Sequence, residues 1–132
     1  MIQPDIRPIA DRVFKLYQDY SYDVSDRLRI NVHKGFVFDG NSCPRFAWSL
    51  TGITPQGLSE AASLIHDLLY RSEGKPGDIY NPDNTPITRK FTDKLYRRML
   101  QEAGQKPRRI RIAYRMVRAF GGLYWGKPPP KF

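Results

Sequence analysis

Apolar and polar residues alternate strictly through RLRINVH. Leu28, Ile30 and Val32 fall on one side, and Arg27, Arg29, Asn31 and His33 on the other. This is the two-residue period of a half-buried strand. Upstream, Phe14, Leu16, Tyr20 and Tyr22 lie among polar neighbours in VFKLYQDYSYDV, and Gly35 marks a turn or bulge before the apolar run Phe36, Val37 and Phe38. These signals predict a small antiparallel sheet over about residues 12–38.

Beyond Phe38 the period becomes helical. Ser42 is placed to cap a short helix over 44–51 with Pro44 in its first turn, where a missing N–H costs nothing. Leu58, Ala61, Ala62, Ile65, Leu68 and Leu69, widened by Leu64, predict a helix over 57–72. The stretch SEGKPGDIYNPDNTP then reads as a surface loop. Its Asp78, Asn81 and Asp83 match no calcium-loop spacing and read as turn chemistry. Thr85 and Pro86 open a predicted helix over 86–103, with Phe91, Leu95, Met99 and Leu100 as its apolar stripe and Gly104 as its stop. Pro107 opens another over 107–120. There Ile110, Ala113, Val117 and Phe120 claim one face for the core, and Arg108, Arg111, Arg115 and Arg118 form a solvent-facing basic stripe on another, the candidate contact for nucleic acid or an acidic partner. The tail after Gly121 reads as extended. The expected fold is α+β: one domain over 1–132, with an N-terminal antiparallel sheet and a mostly helical part at 44–121 that contains an antiparallel helix pair.

Composition narrows the class. A chain of 132 residues with 40% hydrophobic content can bury one modest core without staples. Cys43 is the only cysteine, which excludes an internal disulfide and a multi-thiolate zinc site and suits a reducing compartment. The N-terminal segment has no apolar region of the secretory type, and no run is long and apolar enough to span a membrane. Charge is strongly segregated. Residues 1–85 hold 9 basic and 11 acidic side chains, whereas residues 86–132 hold 13 basic and 2 acidic, within a net charge of +9. Such asymmetry points to a polyanionic partner, either nucleic acid or an acidic protein; the plainer account is a solvated face that keeps the chain soluble.

The chemistry-bearing candidates gather in the helical part. His66 sits in the apolar stretch LIHDLLY, with Tyr70 one turn further along the same face. If the two central helices pack antiparallel, Asp93 comes opposite His66. It can then fix the imidazole tautomer and leave the other ring nitrogen to take a proton from water. Asp67 points elsewhere on the helix and is a candidate metal ligand, as is Asp39 in the preceding loop. A divalent cation such as calcium is the metal such ligands would take. The same residues equally describe a satisfied polar knot between two helices. Ser42 reads as a cap rather than a nucleophile, and His33 as a surface residue at a strand end.

Three segments in order, FVFDGNSCPRFAW, HDLLYR and TRKFTDKLYRRM, resemble a family catalogued only as a domain of unknown function and common in tailed phages, prophages and bacterial genomes. The matching positions are Asp39, Gly40, Ser42, Pro44 and Arg45; His66, Asp67 and Tyr70; and Asp93, Tyr96 and Met99. The resemblance implies an origin in an infected or lysogenic bacterium or in a virion, and it implies no activity. The 72–85 loop looks like an insertion relative to that family. A second, local resemblance is to secreted calcium-dependent phospholipases of the A-two class, which carry a His-Asp-x-x-Tyr helix and an Asp on an antiparallel partner. It implies a metal-assisted hydrolase in which His66 activates water, Asp67 binds calcium, and Asp93 and Tyr70 steady His66. This chain lacks that family's Gly-rich calcium loop and its disulfides. Three functions remain open on these grounds: such a hydrolase, a basic binding or assembly protein of a phage, and a small protein acting on host functions through its basic surface.

Overall fold

The computed structural model describes residues 2–10, 13–38 and 59–126. The expected helix over 44–51, the Asp39 and Ser42 candidates and the end of the tail lie outside the described residues. The described elements are β1 (Ile6–Ala10), β2 (Val13–Leu16), β3 (Tyr20–Ser25), β4 (Leu28–Val32), β5 (Val37–Phe38), α1 (Glu60–Arg71), β6 (Ile79–Tyr80), α2 (Arg89–Glu102) and α3 (Pro107–Phe120). A 3-10 turn over Gly121–Leu123 follows α3. The α+β arrangement read from the sequence is present, with the strands divided between two three-stranded sheets, β1-β2-β5 and β3-β4-β6.

All pairings are antiparallel. The alternation of Leu28, Ile30 and Val32 sets the β3–β4 register. Tyr20 faces Val32 and Tyr22 faces Ile30, so their side chains share the inner face. All five are buried. The loop after α1 is more structured than its composition suggests. It returns to β4 as β6, pairing Ile79 with Ile30, and Asn31 bonds Asp78 through both backbone and side chain. Arg27 grips Asp83 through two of its nitrogens. The turn-forming aspartates therefore also anchor the loop.

Helix α1 runs through the middle of the molecule. Nine of its twelve residues are buried, because β4 and β5 contact it as well as α2. It ends where Gly74 adopts φ +75° and its N–H reaches the Leu69 carbonyl; a Cβ at Gly74 would run into the Ile87 carbonyl. Helix α2 starts later than expected. Asn81 bonds both the N–H and the C=O of Thr85, and Ile87 is tucked into the core. The chain stays non-helical up to Thr88, which is extended and whose hydroxyl accepts the Phe91 N–H at 3.1 Å. Pro107 opens α3 as expected. Phe120 departs from expectation: it lies at the last turn of α3, past the part that packs on α2, and is 37% exposed instead of joining the core.

Candidate functional site: a clasp around Asp93

The three helices meet at one carboxylate. Gln105, just past the end of α2, reaches Ser59 at the start of α1 at 2.8 Å, and Arg89 at the start of α2 reaches the Tyr70 hydroxyl near the end of α1 at 3.5 Å. The two helices therefore run antiparallel, which brings Asp93 opposite His66. His66 Nε2 lies 2.8 Å from Asp93 Oδ1, and the Tyr70 hydroxyl donates to the same oxygen at 2.6 Å. Tyr70 and Tyr96 hold the imidazole between them, with ring centroids at 4.3 and 4.6 Å. Asp93 is fully buried and His66 is 3% exposed.

Two features of this centre were not expected from the sequence. Arg118 donates to Asp93 Oδ2 at 2.7 Å, so it belongs to the clasp and not to a solvent-facing stripe. The reason is angular: Arg118 sits at the border of the α3 face that packs on α2, and a buried unpaired carboxylate draws the nearest guanidinium inward. Arg89, one turn before Asp93 on α2, completes the charge balance at 3.5 Å and also donates to the Val117 and Arg118 carbonyls. It thereby ties the start of α2 to the C-terminal carbonyls of α3. The i, i+4 spacing of Arg89 and Asp93 was a readable signal; Arg118 carried none, because its partner lies on another helix.

The electrostatics follow from this packing. Burial pushes the His66 pKa down from its ordinary 6.5, and contact with Asp93 only partly opposes it. Arg118 and Arg89 already balance the aspartate, so the imidazole gains little by charging. Neutral His66 then donates from Nε2 to Asp93, which fixes its tautomer with the lone pair on Nδ1. Burial alone would raise Asp93, but its bonds from His66, Tyr70 and Arg118 outweigh burial and hold it below 3.8. Burial, then the neighbouring aspartate, keeps the Tyr70 phenol protonated well above its usual 10.0.

Asp67 stands apart from this centre. It pairs with Arg71 at 2.8 Å, one turn along α1, and Arg71 also donates to the Val37 carbonyl and lies over the Phe36 ring. The pair fastens α1 to β5. Among the described residues, no group of three or more His, Cys, Asp or Glu side chains is arranged to hold a metal ion. The chain after α3 closes over Tyr70: Trp125 packs edge-on against its ring at 5.1 Å, and the Gly126 N–H bonds its carbonyl at 2.8 Å.

The remaining candidates lie on the outer face of α3. Arg108, Arg111 and Arg115 are exposed there, as expected. Among the described residues they make no ion pair, and neither does neighbouring Arg97 on α2, whose guanidinium stacks on the Tyr114 ring at 4.3 Å. The acidic residues after position 85, Asp93 and Glu102, are engaged elsewhere, in the clasp and with Arg98 and Tyr22.

Fold and site together define an α+β protein with a buried His–Asp–Tyr–Arg clasp and an uncompensated basic face. The family described as "Protein of unknown function (DUF1353)" matches residues 14–117, and the chain belongs to it. The chain is also 34% identical over 74 residues to "Uncharacterized protein y4jT" of Sinorhizobium fredii (strain NBRC 101917 / NGR234). That similarity covers 56% of this chain and 21% of the relative, so the chain spans about a fifth of the relative's length. No solved structure matches the chain. Among the described residues, no helix is long and apolar enough to cross a membrane.

Proposed function

We propose that this chain is a non-catalytic binding protein whose exposed α3 face, carrying Arg108, Arg111 and Arg115, engages a nucleic-acid backbone. One observation carries the reading. Outside α3, every described arginine except Arg97 has an acidic partner, whereas these three project to solvent with none. Arginines fixed on one rigid helix can match phosphates with forked hydrogen bonds at little entropic cost. No base-reading motif surrounds them, so binding is sequence-independent and salt-sensitive. The setting follows the resemblance to phage and prophage proteins: an infected or lysogenic bacterium, or the virion. The test is titration of a labelled random duplex at several salt concentrations, with wild type and an R108S/R111S/R115S variant. The log–log salt slope falls by about 0.9 for each phosphate that the variant no longer neutralises. Absence of binding at low salt, or binding that the variant leaves unchanged, overturns the reading in favour of an acidic protein partner.

A second reading, a metal-assisted hydrolase, is favoured by the orientation of His66. A neutral imidazole with its tautomer fixed by a carboxylate is the form a general base takes. In this reading Asp67 and Asp39 would hold the cation, and Asp67 would first have to release Arg71. His66→Ala separates the two readings. Loss of a calcium-dependent ester hydrolysis with little change in Tm supports catalysis. A loss of about 1–3 kcal/mol in stability, without calcium binding by the wild type, supports the structural clasp.

A further inference from the structure

Between α2 and α3, beside the basic face, lies a groove of about 610 Å³ lined by Arg97, Gln101, Gln105, Arg111, Tyr114 and Arg115 among others. Its composition differs from that of a simple phosphate cradle. The Arg97 guanidinium lies over the Tyr114 ring, its carbon 4.3 Å from the ring centroid. A guanidinium over an aromatic ring is drawn to it by cation–π attraction, and the pair offers planar groups to a base and an N–H edge to an anion. Arg111 and Arg115 add two further cations at the groove wall, one turn apart on α3, and Gln101 adds an amide from the last turn of α2.

Planar surfaces beside unpaired cations match a ligand that carries both flat rings and phosphates. In a duplex the base faces are covered by their neighbours in the stack; in a single strand they are available. We propose that this groove takes an unpaired base of a single-stranded nucleic acid against the Arg97–Tyr114 stack, with the adjoining phosphates on Arg111 and Arg115. The inference deepens the nucleic-acid reading above and rests on it. Charge complementarity selects the occupant class, and the stack selects single strands over duplex.

Three probes of equal charge separate the contributions: an oligothymidylate of about 12 nucleotides, an abasic deoxyribose-phosphate strand of the same length, and polyglutamate. Binding is followed by fluorescence anisotropy at low salt. The thymidylate strand binds about tenfold tighter than the abasic strand, within the range that base-on-aromatic stacking gives. Tyr114→Leu removes that preference and leaves abasic binding in place. Arg97→Lys, which keeps the charge but not the plane, also removes it, and carries the test should Tyr114→Leu fail to fold. Equal binding of thymidylate and abasic strands overturns the base-stacking proposal alone. Polyglutamate binding as tight as thymidylate overturns it in favour of an acidic protein segment. If none of the strands binds, the nucleic-acid reading falls as well.

Discussion

Asp93 shows how a single residue can be expensive to bury and still be retained. A fully buried carboxylate is tolerable only with its charge matched and its oxygens bonded, and here donors arrive from His66, Tyr70 and Arg118. Asp93→Asn leaves two guanidiniums facing a neutral amide and lowers stability by about 3–5 kcal/mol in urea denaturation. The clasp also sets a pH dependence. His66 is neutral in the fold, with a pKa below its ordinary 6.5. Below pH 6.5 the unfolded chain therefore takes up a proton that the folded chain refuses. The stability associated with His66 is complete above pH 6.5 and declines on acidification by at most about 1.4 kcal/mol per pH unit. Asp93, held below 3.8, adds a second decline under about that pH, because its protonation favours the unfolded chain. Denaturation curves between pH 4.5 and 7.5 check the first limb. Stability that rises as the pH falls through this window would show that His66 is charged in the fold.

At the scale of elements, α3 is held in place by polar contacts at its C-terminal end. Arg89 binds the Val117 and Arg118 carbonyls, and the chain then turns at Gly121 directly against Tyr70. A Cβ at Gly121 would run into the Tyr70 hydroxyl and crowd the Arg89 guanidinium. Its backbone is ordinary, with φ −60°, so the constraint there is space and not conformation. Gly121→Ala therefore lowers stability by about 1–3 kcal/mol through overpacking. In a Tyr70→Phe background the same change costs less, since the clashing oxygen is gone. A double-mutant cycle by urea denaturation measures the difference, and strict additivity would place the Gly121 constraint elsewhere.

For the whole molecule, the division of charge is a division of labour among arginines. Arg27, Arg29, Arg71, Arg89, Arg98 and Arg118 join strands, loops and helices to one another. Arg108, Arg111 and Arg115 join nothing among the described residues. The R108S/R111S/R115S variant should therefore unfold within about 1.5 kcal/mol of wild type, about 0.5 for each surface substitution, a check made in the same preparation used for binding. A larger loss would mean that the face supports the fold and is not free for a partner.

Local pattern determined much of this protein. The two-residue period of Leu28, Ile30 and Val32 fixed a strand and its buried face, because successive side chains must alternate across a sheet. Helical spacing placed α1, α2 and α3 to within a few residues, and the pairing of His66 with Asp93 was legible once their helices were taken as antiparallel neighbours. Tertiary structure decided what spacing cannot encode. The start of α2 moved to Arg89, behind the Thr88 cap, because Asn81 had already engaged Thr85. The residues 72–85 gained a strand because an unpaired edge of β4 was there to receive it. Arg118 left the basic stripe because a buried charge on another helix outweighed its preference for water. Periodicity reports which face of an element is turned inward; the identity of the group waiting on the other side is set only when the elements pack.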